Sequence, residues 1–312
     1  MQTPYIVGVG AANADLSGAS LQPLRLRDSN PGHIRLSAGG VTRNVCENLA
    51  RLGADVKLIS AVGEDAFGDM ILAQSRASGM DLTHVLRRAH TSSVYLSILD
   101  ASGDMLVGMS DMRIIQSQLR PEDLYAERAL LTGAAAVTCD PCITEQTLQA
   151  LIEICRGAAP IYADPVSTAY AKRLAPYAGA FDTLKPNRME LEILAGAPVD
   201  TEQALTKAGE AVLKKGTRRL FVSLGNEGCL YMDRQGVVIR RKMRPVSRMV
   251  NATGAGDAFA AAVLYGTLRG MNELKTLDYA LAAGIAALSD EATINPNMSP
   301  ALLETIIKEN SL

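Results

Sequence analysis

The sequence predicts an α/β fold: a mostly parallel central sheet covered by helices on both faces, with a second, smaller β-sheet over its C-terminal edge. Three observations carry this. Apolar strand-like runs alternate with helix-like segments along most of the 312 residues, the pattern of strands joined by helical crossovers. Two polar, alternating stretches break that rhythm and supply strands with no helix between them. The composition, 48% hydrophobic and 21% charged, suits a globular chain with a large core.

The elements follow in order. "YIVGVG" (5–10) is the first strand and "VTRNVCENLARLG" (41–53) a helix closed by Gly53. "DVKLISAVG" (55–63) is the next strand, followed by the helix "DAFGDMILAQSRASG" (65–79). "AAAVTCD" (134–140) leads into the helix "TEQTLQALIEICRG" (144–157), and "PIYADP", "TLKPN", "RRLFVSLG" and "LYMD" are further strands. The interruptions are Ala14–Gly40, alternating around "LRLRD" and "HIRLS", and Thr91–Asp111, a hairpin turning at "DASGD". Both are expected in one accessory sheet, inserted in a single domain spanning 1–312. Open α/β sheets bind ligands at the C-terminal edge of their strands, where such a sheet would act as a lid.

Charge and composition exclude several functions. Lys and Arg total 31 against 33 Asp and Glu, with no long basic run and no tryptophan, so neither nucleic acid nor a membrane surface is an expected partner. The longest apolar runs, such as Ala258–Gly266, are too short to span a bilayer. "MQTPYIVGVG" has no basic leader and reads as a strand. Five cysteines without framework spacing are expected as reduced thiols of a cytoplasmic protein. "CDPC" (Cys139–Cys142) has redox-like spacing, but small apolar residues at a strand-to-helix turn explain it more simply.

"GVGAAN" starts like a dinucleotide fingerprint, yet Asn13 replaces the third glycine and a strand follows instead of a helix. There is no G-x-x-x-x-G-K-[ST], only three histidines and no G-x-S-x-G.

"VNATGAGDAFAAAVLYG" (250–266) is more informative. Gly254 and Gly256 precede a helix apolar almost all the way round, with Asp257 in its first turn. Glycines let backbone N–H groups converge, and the helix terminus adds positive potential, so the segment fits an anion. Asp257 either complements the helix dipole or accepts a proton beside a phosphate cradle, as phosphoryl transfer requires. Three other stretches have two readings each. Asn187 and Glu190 in "TLKPNRMELE" form a capping box or serve phosphate and Mg²⁺. "SLGNEG" (223–228) is a hairpin turn or a close backbone approach to a nucleotide. "AGGVTRN" (38–44) opens a helix or places Asn44 at a substrate.

Taken together, these stretches resemble the PfkB family of carbohydrate kinases. "NATGAGDAFAAAVLYG" is similar to its C-terminal signature and "AGGVTRNVCENLARLGADVKLISAVGEDAFGD" to its N-terminal one. Asn13 and Asp15, then Asn187 and Glu190, then "LGNEG" occur in family order. The resemblance runs from the first strand to about Pro296. It implies a ribokinase-like sandwich with a β lid, ATP as donor and Mg²⁺. It implies Asp257 as base, an anion hole at Gly254, Ala255 and Gly256, and substrate contacts from Asn13, Asp15, Gly39, Gly40 and Asn44. It implies Lys185, Asn187, Ser223, Gly225 and Gly228 at the nucleotide and Glu190 at Mg²⁺ through water. Many members hold a monovalent cation such as K⁺ with an aspartate two residues before a threonine. Here Asn251 stands at that place before Thr253.

Lid and helix-opening residues carry specificity in this family. "DSNPGHIRLSAGGVTRN", "TSSVYLSILDASGDMLVGMSDM" and "TLKPNRMELE" resemble the members of the family that act on pseudouridine; the resemblance implies pseudouridine as acceptor at its 5′-hydroxyl, with Ser93, Tyr95 and Asp111 facing the ligand. Another kinase substrate (adenosine, inosine or ribose) and a non-catalytic metabolite binder are the alternatives. Arg43 steadies phosphate or pairs with a surface carboxylate. Apolar lid faces imply a homodimer through the lid.

Overall fold

The computed structural model describes residues 4–100, 105–244 and 253–310. Its thirteen strands form two sheets. The large sheet uses β1 (Tyr5–Val9), β4 (Asp55–Gly63), β5 (Val85–Arg88), β8 (Ala136–Cys139), β9 (Ile161–Ala163), β10 (Thr183–Leu184), β11 (Arg219–Ser223), β12 (Cys229–Asp233) and β13 (Val238–Arg241). Their spatial order is β13-β12-β11-β10-β9-β8-β1-β4-β5. Pairing is parallel from β5 to β11 and antiparallel at β12 and β13. The small sheet uses β2 (Asn13–Ser20), β3 (Gly32–Gly39), β6 (Ser93–Leu99) and β7 (Met105–Asp111), in the order β3-β2-β6-β7.

Strand periodicity explains why the large sheet is buried on both faces. Along β1, Ile6 enters one apolar cluster while Val7 and Val9 enter the other, because successive side chains alternate across a sheet. One cluster joins Leu148, Leu151 and Leu191; the other joins Leu49, Ala262 and Ala283.

Register places the chemistry. Val9 pairs with Cys139, Cys139 with Ala163, and Ala163 with Leu184. The next residue on each chain is Gly10, Asp140, Asp164 and Lys185, so these four form a row just beyond the C-terminal edge. β2 starts at Asn13, three residues after Gly10, and carries the small sheet away from that edge.

One sequence expectation needs correction, and further strands were not anticipated. "LRLRD" is not a strand: Asn30 accepts from the Arg25 amide and donates to the Arg25 and Asp28 carbonyls, closing a turn in which Arg27 has φ 65°. The strand of that segment is Asn13–Ser20 instead, whose small residues mute its alternation. "VLRR" and "VIRR" form β5 and β13, too short and too charged to register as strands.

Candidate active site

Two helices bring their N-termini to this edge. Val41–Arg51 follows Gly40, whose φ of 99° and closeness to the Ala11 carbonyl leave no room for a Cβ. Asp140, fully buried, anchors that terminus: its Oδ2 accepts from Ala11 N at 2.9 Å and Thr42 N at 3.0 Å, its Oδ1 from Cys142 N at 2.9 Å. The Ala255–Leu268 helix follows Gly254, at φ 84°, where a Cβ would overlap the Thr293 carbonyl. The N-cap residue is a glycine with no side chain to cap this second helix, and N–H groups at such a terminus suit an anion.

Asp257 lies in the first turn of that helix and accepts a hydrogen bond from Asn44 Nδ2 at 2.8 Å. Burial, then the Asp164 charge, pushes its carboxyl from 3.8 to about 7, against the pull of Asn44 and Lys185. Asp257 is half-buried. Lys185 is buried, forms an ion pair with Asp164 at 2.8 Å, and reaches the Gly256 carbonyl at 3.4 Å. Burial alone would lower Lys185; Asp164, Glu190 and Asp257 outweigh it and hold the ammonium above its ordinary value. Gly256 has no space for a Cβ to spare before that ammonium.

Asp15 approaches from β2, its carboxylate pressed over Gly39 and bonded to Asn13 Nδ2. Desolvation raises it to about 6 against Asn13 and Arg43. Beside Asn13 in register is Ser93, 1% exposed, whose Oγ has no hydrogen-bond partner among the described residues. An orphaned buried hydroxyl is costly unless a ligand completes it.

Asn187 and Glu190 do form the capping box: Glu190 N donates to Asn187 Oδ1 at 2.9 Å and Asn187 N to Glu190 Oε2 at 2.8 Å. Glu190 is nonetheless raised to about 7, by burial and then by Asp164. The Ser223 amide bonds the Pro186 carbonyl at 3.0 Å, which sets the "SLGNEG" turn beside Asn187. That turn joins antiparallel β11 and β12 as a hairpin, with Gly225 and Gly228 at φ 58° and 90°.

Other predicted residues sit differently. Arg43 pairs with no surface carboxylate: it is 1% exposed and bound to buried Glu47 at 2.7 Å, because α-helical spacing aligns residues 43 and 47. The Asp111 carboxylate turns to Arg113 at 2.6 Å, two residues along. The Tyr95 hydroxyl lies 3.3 Å from Met105 Sδ, within the small sheet. Thr253 is described, but Asn251, its proposed partner at a cation, lies outside the described residues. Cys139 and Cys142 are buried, and burial followed by the Asp140 charge raises both thiols far above their ordinary value, which fits packing rather than redox chemistry. Sequence reasoning missed Asp140, Asp164 and Glu47. Asp164 had a usable signal, an acidic residue directly after a strand in "YADP".

Two cavities among the described residues, about 420 and 710 Å³, lie elsewhere. One is under the outer small sheet, near Arg25 and His33; the other is at the opposite sheet edge, near Arg156 and Arg218.

Amides that gather negative charge, set beside a carboxylate able to take a proton near neutral pH, serve transfer of a phosphoryl group to a hydroxyl. The chain is a phosphotransferase with an alcohol acceptor. The family described as pfkB family carbohydrate kinase matches residues 3–300, and the chain belongs to it. Pseudouridine kinase of Escherichia coli is 34% identical over 97% of this chain and 96% of its own length. Guanosine-inosine kinase of Exiguobacterium acetylicum is 27% identical over 96% and 99%. A carbohydrate kinase structure from Agrobacterium tumefaciens superposes with TM-score 0.84 at 25% identity, over 99% of this chain and 98% of that one. The ribokinase-like sandwich expected from the sequence is the fold observed.

Proposed function

We propose that this kinase transfers the γ-phosphoryl of ATP to the 5′-hydroxyl of pseudouridine, with Asp257 as general base. The observation that carries the reading is Asp257 itself: a carboxyl raised to about 7 in the first turn of a helix whose N-cap is Gly254. Near neutral pH such a group orients the hydroxyl and takes its proton as the bond to phosphorus forms. The amides of Gly254, Ala255 and Gly256 hold charge developing on the phosphoryl oxygens, and Lys185 adds a fixed positive charge behind Gly256.

Asn13, Asp15, Gly39, Gly40 and Asn44 hold the sugar. The free Ser93 hydroxyl supports a polar contact to the base, and a site built to satisfy polar groups discriminates strongly among analogues. Ser223, Gly225 and Gly228 border the nucleotide. Glu190, a buried carboxylate beside Asn187, is a hard oxygen donor of the kind Mg²⁺ takes, and would hold the ion through a water. When bound, Mg²⁺ neutralises phosphate charge. Residues 14–40 and 91–111 act as a lid that excludes water.

The lid also exposes Ile34, Leu96, Met105, Val107 and Met109. Apolar patches of this kind mark contacts, and we assign them to a second copy of the chain. Ile34→Glu with Met109→Glu should turn a dimer into a monomer in light scattering.

The substrate test is ADP release with a panel of pseudouridine, uridine, adenosine, inosine and ribose, ranked by kcat/KM. Pseudouridine should lead; ribose or inosine outcompeting it would overturn the substrate. ADP release with none of them would favour a metabolite binder.

A further inference from the structure

We infer that Arg43 is a positioning residue, locked by Glu47, that fixes the amide of Asn44 so that its NH₂ faces Asp257. The inference rests on the kinase reading of Asp257 and adds a residue to it.

A guanidinium has five N–H donors and no acceptor. In Arg43 all five are used. Nε donates to the Gly39 carbonyl at 3.0 Å, and Nη1 to Glu47 Oε2 at 2.7 Å and Ser75 Oγ at 3.3 Å. Nη2 donates to the Ala38 carbonyl at 2.8 Å and Asn44 Oδ1 at 2.9 Å. Because Arg43 can only donate, the Asn44 atom it touches must be oxygen. The other amide atom, 2.8 Å from Asp257 Oδ2, is therefore nitrogen. The orientation follows from chemistry rather than from assignment of similar atoms.

Glu47 is held in turn. Its second oxygen, Oε1, accepts from Arg51 Nε and Nη2 at 2.9 and 2.7 Å, and Arg51 Nη1 donates to the Pro296 carbonyl at 2.8 Å. The chain Pro296–Arg51–Glu47–Arg43–Asn44–Asp257 runs along one face of the Val41–Arg51 helix to the base. Fully satisfied buried networks of this kind are rigid, and losing one member leaves the others unpaired. Without Arg43, Asn44 can turn its carbonyl toward Asp257. Two oxygens then face each other, and the base is displaced from the hydroxyl it serves.

The test is a double-mutant cycle with Arg43→Met and Asn44→Ala in the full chain, reading kcat, KM and the pH dependence of kcat/KM with MgATP and the wild type's acceptor. If Arg43 acts through Asn44, the two losses overlap. About 30-fold for Arg43→Met and about 100-fold for Asn44→Ala should combine to about 100-fold, not their product. The loss should fall on kcat, and the acid limb should move to higher pH, since Asn44 favours ionised Asp257. The other charged groups facing Asp257 are Asp164, Lys185 and Asp15; Arg43→Met also removes a charge that lowers Asp15, which Arg43→Lys keeps and Asn44→Ala leaves alone. Multiplying losses, or a change in KM alone with the acid limb unmoved, would overturn the inference. If Arg43→Met does not fold, Arg43→Lys enters the same cycle; it keeps the charge but cannot span five acceptors. Absence of any turnover by the wild type would instead reject the kinase reading.

Discussion

Replacing Asp257 with Asn should remove activity and stabilise the protein at the same time. The substitution keeps shape and leaves Asn44 a partner, but deletes the proton acceptor. General base catalysis contributes about 10²- to 10⁴-fold, so kcat should fall about a thousandfold while KM changes little. The stability effect follows from the raised carboxyl. A group moved from 3.8 to about 7 is held in its protonated form by up to about 4 kcal/mol. The folded state thus binds the proton more tightly than the unfolded chain. Stability falls as pH rises from about 4 to 7, and the full cost of the buried charge is present above 7. Because Asp257 is half-buried rather than sealed, about 1–2 kcal/mol is expected from Asn at pH 8, shrinking toward zero near pH 4. Coupled ADP release reads the first effect, and urea midpoints at pH 8 and pH 5 read the second. Turnover within threefold of wild type would refute the role of Asp257. Equal stabilisation at both pH values would refute the electrostatic argument.

In the wild type, kcat/KM should drop about tenfold per pH unit below 7, the slope of one ionisation. Glu190→Gln should leave that limb in place, since Glu190 also sits at about 7 but is assigned no proton transfer. Asp164→Asn should shift the limb to lower pH, because Asp164 is the largest charge raising Asp257. It should also cost about 3 kcal/mol in denaturant unfolding by leaving Lys185 unpaired. Gly254→Ala should abolish turnover and lower Tm, as both φ and the Thr293 carbonyl forbid the methyl group. All five cysteines are buried, so a thiol reagent should react only after denaturation, with a stoichiometry of five.

The parts of the site legible in the sequence are those where chemistry is local. Gly254 to Asp257 and Gly39 to Asn44 are turns opening helices, and glycine spacing alone announces them. Most strands of the central sheet were legible because they are buried on both faces and read as continuous apolar runs. The Asp164–Lys185 pair was not legible: its members are twenty-one residues apart and meet only because β9 and β10 are neighbours in register. Sheet order is not written in local pattern. Arg43 misled for another reason. Arginine is ordinarily exposed, and burial here depends on Glu47, Ser75 and two carbonyls that only the folded helix pair assembles. "LRLRD" had the alternation of a strand, but an asparagine-closed turn took precedence.

In the proposed reading the two sheets divide labour, which bears on how such enzymes diversify. Asp257, Lys185 and Asp164 stand on elements rooted in the main core, whereas Ser93 and Tyr95 belong to a thin four-stranded appendage with little interior of its own. Grafting residues 13–39 and 93–111 from a relative with another preference should redirect which alcohol is accepted and leave the reacting apparatus intact.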